Sequence, residues 1–134
     1  MRIMARAKIL VVEDNPDNRE LIVMFLRRQN YEIIEATTAA EALHEASTRY
    51  PDIILMDLGL PGMNGDEVTA RIKADPSTAH VPIVVNTAFD PSASIVTRAV
   101  AAGADEVIYK PTNFKNLLLV TQRLLGRGPS FAVA

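Results

Sequence analysis

The chain has 134 residues, 49% of them hydrophobic, and its 14 basic and 16 acidic residues leave a formal charge of −2. That is one domain of ordinary size with ample material for a single core, and it carries no basic patch suited to nucleic acid. The absence of cysteine excludes disulfides and thiolate metal sites and makes a reducing cytoplasm the expected compartment. No apolar run approaches the roughly 20 residues that cross a bilayer, and the basic opening MRIMARAK lacks the apolar stretch of a signal peptide.

Lys8–Val12 is an apolar, β-branched run that predicts a first strand. Leu21, Met24, Phe25 and Leu26 follow at helical spacing and predict a helix with those residues on one face, ending near Asn30. Glu32–Ala36 predicts a second strand, and Thr38 with Glu41 fits a capping box opening a helix that carries Ala42, Leu43 and Ala46. Asp52–Met56 predicts a third strand, followed by a helix carrying Val68 and Ile72 and ended before Asp75–Pro76. Val81–Val85 predicts a fourth strand, and Ile95, Ala99, Val100 and Ala102 a helix stopped by Gly103. Glu106–Tyr109 predicts a fifth strand, and Leu117, Leu118, Val120, Leu124 and Leu125 a helix stopped by Gly126.

Five strands alternating with five helices imply an α/β fold, a doubly wound parallel sheet covered on both faces. Runs such as ILVV, DIILM and PIVV agree, since strands buried on both faces need not alternate. The expected layout is an N-terminal extension over 1–7, one domain over 8–126 and a flexible tail over 127–134.

In open parallel sheets, ligands bind at the carboxyl ends of the strands. The first strand is followed there by Glu13 and Asp14, the third by Asp57, the fourth by Asn86 and Thr87, and the fifth by Lys110. The second offers only Ala36 and Thr37, which suits an outer position in the sheet. Taken singly, each residue has a local explanation. Asp14 is a candidate helix cap, Asp57 a turn former, Thr87 a hydroxyl bonded to nearby backbone, and Lys110 a solvated cation. Such roles do not explain four polar strand ends together. Three converging carboxylates repel one another unless a cation joins them, and with oxygen donors alone the expected ion is Mg²⁺. A lysine and a threonine hydroxyl suit phosphoryl oxygens, and a remaining carboxylate suits attack on phosphorus. On this reading Asp57 is the nucleophile.

The blocks ILVVEDNPDNR, IILMDLGLPGMNG, PIVVNTA and AGADEVIYKP, in that order and spacing, resemble the receiver domain of two-component response regulators. The resemblance spans roughly Lys8 to Leu125 and implies a flavodoxin-like fold with strand order 2-1-3-4-5. It implies that Asp57 is the phosphoacceptor, with Glu13, Asp14, Asp57 and the Gly59 carbonyl as Mg²⁺ ligands. Thr87 and Lys110 would contact the phosphoryl group, and the Lys110–Pro111 bond would be cis. The glycines of GLPGMNG would let the backbone turn tightly and approach the metal. The implied partners are a histidine kinase or histidine phosphotransfer protein and a downstream protein target. The chain is then a phosphoacceptor that assists its own chemistry, and not an enzyme in the ordinary sense. A monomer or weak homodimer through helix four, strand five and helix five is expected, a face carrying Arg98, Asp105, Lys115 and Arg123.

The sequence departs from the family at the strand-five aromatic that reports phosphorylation, where Val107 stands. Tyr109 would share its face and offer a partial substitute, or the signal would be read through helix four and the loop before it. Asn86, before Thr87, stands where an apolar residue is commoner. The alternative function is a degenerate receiver that binds a protein independently of phosphorylation. A haloacid-dehalogenase-type phosphatase would want a second aspartate at position 59, where Gly59 stands. His44 and His80 are too isolated for a zinc site.

Overall fold

The computed structural model describes residues 6–126. The expected tail over 127–134, and residues 1–5 of the expected extension, lie outside them. Among the described residues, strands β1 (Lys8–Val12), β2 (Glu32–Ala36), β3 (Ile53–Met56), β4 (Ile83–Thr87) and β5 (Glu106–Tyr109) alternate with five helices. These are α1 (Pro16–Arg28), α2 (Ala39–Arg49), α3 (Gly65–Ala74), α4 (Ser94–Ala101) and α5 (Phe114–Leu125). The strands form a parallel sheet of order β2-β1-β3-β4-β5, the doubly wound arrangement expected. Chemically plain β2 occupies an edge.

Strand side chains alternate between faces, and the core divides accordingly. Leu10 and Val12 join residues of α2 and α3 on one face, while Ile9 and Val11 join α1 and α5 on the other. Towards β5, a smaller cluster sets Ile95, Val96 and Ala99 of α4 on Leu58, Val85 and Val107. Because both faces are covered, β3 is buried along its whole length.

Helix boundaries follow from their caps. Asn15 caps α1 by accepting from the Asn18 N–H at 2.9 Å, and Pro16 opens the first turn. Thr38 caps α2 by accepting from Glu41 N–H at 3.1 Å, while Glu41 reaches back to the Thr37 N–H at 2.6 Å, one residue beyond a strict capping box. Gly103, with φ +115°, ends α4: its N–H bonds Val100 O and the Ala104 N–H bonds Ala99 O, the paired bonds of a Schellman turn.

Three expectations need correction. In α1 the buried residues are Ile22, Val23 and Leu26, while Leu21 is 57% and Met24 46% exposed. Residues 21–26 are all apolar, so spacing alone does not fix which side faces inward. In α4 Val96 is buried and Val100 exposed. The fourth strand begins at Ile83, not Val81, because Pro82 has no N–H for the ladder. It extends through Thr87, so Asn86 and Thr87 are paired strand residues opposite Ile108 and Tyr109.

Three of the four charges expected to mark the α4–β5–α5 face are engaged within the chain. Arg98 bonds the buried Asp66 of α3 at 2.9 Å, Asp105 pairs with Lys73 at 3.3 Å, and Arg123 pairs with Glu106. No described helix is long and apolar enough to cross a membrane.

Candidate functional site

The parallel register delivers the carboxylates. Glu13 leaves β1 with its N–H still bonded to Ala36 O of β2, and the Asp57 N–H bonds Val12 O of β1. Strands β1 and β3 thus hold Glu13, Asp14 and Asp57 side by side, with one carboxylate oxygen from each lying within 4.8 Å of the others. Asn15 supplies the cap of α1, which leaves the exposed Asp14 out of the capping role that the sequence alone had left open.

Glu13 is 2% exposed and Asp57 8%. The Lys110 ammonium, at the end of β5, reaches across to both: 2.7 Å to Glu13 Oε1 and 3.5 Å to Asp57 Oδ2. The other Glu13 oxygen accepts from the Asn15 N–H at 3.2 Å. Burial, and then the negative Glu13, push the Asp57 carboxyl up to about 6; Lys110 and the Gly59 N–H oppose this without cancelling it. Asp57 is therefore a carboxylate held close to like charge with too little cation beside it. All the donors at this edge are oxygens and two to three are anionic, which fits a hard divalent ion such as Mg²⁺.

Thr87 is fully buried, and its hydroxyl accepts from the Phe89 N–H at 3.0 Å. The local-backbone role is thus real, but accepting one bond leaves its O–H free to donate. The Lys110–Pro111 bond is cis, and the Lys110 N–H bonds Thr87 O at 2.7 Å.

The loop glycines have distinct reasons. Gly62 has φ +83°, a left-handed conformation. A Cβ at Gly65 would overlap the Asp57 carbonyl oxygen and lie 2.8 Å from Leu58 Cα, so α3 can start against the Asp57 backbone only with glycine there. Gly59 needs neither freedom, and a side chain there would face the Phe89 ring at 3.8 Å.

A family model for the response regulator receiver domain matches residues 9–122. The chain belongs to the response regulator receiver family. The receiver is 33% identical to the polar-differentiation response regulator DivK of Brucella ovis over 118 residues, 88% of this chain and 95% of DivK. It is 38% identical over 105 residues to the response regulator PleD of Caulobacter vibrioides, covering 78% of this chain but 23% of PleD. The DNA-binding response regulator MtrA of Mycolicibacterium smegmatis is 34% identical over 91% of this chain and 52% of its own length. The receiver therefore spans about a quarter to a half of several curated relatives it matches. Among solved structures it is similar to the receiver domain of the sensor histidine kinase PA1611 of Pseudomonas aeruginosa, which has a magnesium ion coordinated in its active-site cleft. The TM-score is 0.85 at 32% identity, over 91% of this chain and 99% of that one. A CheY-like receiver from Methanospirillum hungatei gives a TM-score of 0.85 at 26% identity, over 90% and 94% of the two chains.

One supporting residue escaped the sequence reading. Arg19 of α1 donates to the Glu13 carbonyl at 3.0 Å and to Glu35 of β2 at 3.2 Å, so the edge strand steadies the acidic pair from behind. The one signal was a charge, Glu35, at an inner position of a strand that otherwise carries charge only at its first residue, Glu32.

Proposed function

We propose that this receiver accepts a phosphoryl group on Asp57 from a phosphohistidine of a histidine kinase or histidine phosphotransfer protein. An Asp57 oxygen attacks phosphorus, the P–O bond forms as the P–N bond breaks, and the imidazole nitrogen leaves with the electron pair, the ring taking up one proton from solvent. Water later attacks the same phosphorus, releasing inorganic phosphate and restoring the carboxylate. Glu13, Asp14, Asp57 and the Gly59 carbonyl would hold Mg²⁺, which when bound neutralises charge on the transferring phosphoryl oxygens. Lys110 pairs with one of those oxygens, and the free Thr87 O–H donates to another. The observation that carries this reading is the Glu13–Asp14–Asp57 cluster with Lys110 within 3.5 Å of Asp57.

The output follows from Thr87. Its bond to the Phe89 N–H ties the β4–α4 loop to the hydroxyl, so moving the hydroxyl towards a phosphoryl oxygen displaces the loop. The cluster of Leu58, Val85 and Val107 beneath α4 carries that displacement to the helix. Val107 packs there as an aliphatic, and Tyr109 on the same face is 38% exposed, which favours reading through α4 over an aromatic on β5. The downstream partner is a protein that docks on this face, and the receiver works as a monomer or weak homodimer.

The test is intact mass after incubation with a small-molecule phosphodonor, with Mg²⁺ and with chelator, beside Asp57→Asn. One added phosphoryl group, dependent on metal and absent from the variant, supports the reading. A folded protein that takes no adduct would instead be a module that binds partners independently of phosphorylation.

A further inference from the structure

Asn86 is a polar side chain at a buried position of β4, 2% exposed. A buried amide costs free energy unless its donor and acceptor are both used. Both are used by one residue: the Thr112 hydroxyl accepts from Asn86 Nδ2 at 3.0 Å and donates to Asn86 Oδ1 at 3.1 Å. Thr112 lies in the β5–α5 loop, two residues after Lys110 and across Pro111. Val84 belongs to the α1–α5 core and Val85 to the α4 cluster, so strand alternation turns Asn86 towards α1 and α5 and Thr87 towards α4.

Consecutive residues of β4 therefore grip the lysine segment at both ends. Thr87 accepts the Lys110 N–H through its carbonyl at 2.7 Å, and Asn86 holds the Thr112 side chain. Pro111, between them, has no N–H with which to add a further backbone bond. We propose that Asn86 and Thr112 form a positioning pair whose reciprocal hydrogen bonds fix the loop that presents the Lys110 ammonium to Asp57. The inference rests on the phosphoacceptor reading. Neither residue touches the phosphoryl group; they act through Lys110. The pair also accounts for asparagine where an apolar residue would otherwise fill the strand: without the half-buried Thr112, Asn86 would be a buried amide lacking its partner.

The test uses Thr112→Val, which keeps the shape and removes the hydroxyl, Thr112→Ser, which keeps the hydroxyl, and Asn86→Leu. Phosphorylation by a small-molecule donor at saturating Mg²⁺ should slow about tenfold in Thr112→Val and Asn86→Leu, against about a hundredfold for a reacting group misplaced by about 1 Å. Thr112→Ser should stay within about twofold of the parent, since it retains both hydrogen bonds. The Mg²⁺ concentration needed for half-maximal rate should hold or fall, because a displaced Lys110 competes less with the metal for Glu13 and Asp57. Without donor or metal, the Lys110 amide should exchange with solvent faster in Thr112→Val than in Thr112→Ser. An unchanged rate in Thr112→Val, an equal loss in Thr112→Ser, or a loss matched by weaker Mg²⁺ binding would each overturn the proposal. If the parent protein itself takes no phosphoryl group, the phosphoacceptor reading fails. The pair is then decided on Lys110 amide exchange, where equal rates in Val and Ser variants overturn it.

Discussion

Replacing Asp57 by asparagine should stabilise the metal-free protein at neutral pH, although it removes the proposed reactive group. The Asp57 carboxyl is raised from 3.8 to about 6, by burial first and the Glu13 carboxylate second. The folded protein therefore holds this proton more tightly than the unfolded chain does. Stability contributed by the group falls as pH rises from about 4 to about 6, and the full cost is present above about 6. A shift of about two units corresponds to about 3 kcal/mol. The side chain is 11% exposed at the mouth of the cleft, and solvent screening there reduces the figure to about 1–2 kcal/mol. Asparagine keeps the shape and drops the charge, so it recovers that amount near neutrality and almost nothing at about pH 4. In a domain of this size the gain is a rise of roughly 3–10 °C in Tm. Thermal unfolding by circular dichroism in chelator, for both proteins from about pH 4 to about pH 7.5, measures it directly. A variant no more stable than its parent near neutrality, or a gap that persists unchanged at the acid end, would refute the electrostatic account of the cluster.

Millimolar Mg²⁺ should raise the Tm of the parent and raise that of Asp57→Asn less, with about 1.4 kcal/mol gained at ten times the Kd; no shift in the parent would remove the metal from the mechanism. Gly65→Ala should cost about 2–3 kcal/mol in urea unfolding, because the new methyl group meets the Asp57 and Leu58 backbone. It should also slow phosphorylation by moving Asp57; a loss below about 1 kcal/mol would mean that α3 shifts away freely. The chain has no tryptophan, so Phe89→Trp supplies a single reporter beside Thr87. Its emission should change on phosphorylation and stay constant when Thr87→Val is added, and a change that survives the second substitution would uncouple Phe89 from the Thr87 hydroxyl.

The order of elements was legible because each strand is a short apolar run and several helix ends carry local stop or start residues. Thr38–Glu41 and Gly103 are local signals that survive whatever the rest of the chain does, whereas at α1 the cap falls on Asn15 and not on the Asp14 candidate. What local pattern did not carry was phase. Six consecutive apolar residues in α1 present a hydrophobic surface all round, and only docking on α5, where Phe25 meets Phe114 with ring centroids 5.0 Å apart, decides that Leu21 and Met24 point outwards. The grouping of Glu13, Asp14, Asp57 and Lys110 was legible because these residues come from strand ends, where fold topology alone brings them together. Its supports were not. Arg19 with Glu35, Asn86 with Thr112 and Thr87 with Phe89 depend on where side chains meet in space, and in the first two pairs sequence separation hides the partner.

The supports bear on how the site changes state. In the geometry described here Lys110 lies closer to Glu13 than to Asp57, 2.7 Å against 3.5 Å, so it serves first as counterion to the deepest carboxylate. Negative charge added at Asp57 competes with Glu13 for that ammonium. The outcome depends on how far the ammonium can move, and its backbone is anchored by Thr87 O while the loop beyond it is anchored by Asn86. A lysine on a firm backbone can exchange one carboxylate for a neighbouring oxyanion by rotating its flexible four-carbon stem, without rebuilding the loop. The same strand end holds the Thr87 hydroxyl, whose partner Phe89 opens the β4–α4 loop. On the proposed reading, charge recognition by Lys110 and displacement of the loop by Thr87 would both start from adjacent residues of β4, one side chain turned towards α5 and the next towards α4. With the lysine backbone held by the Thr87 carbonyl, the Thr87 hydroxyl and the loop bonded to it are the part proposed to move, and on that reading the signal should emerge at α4.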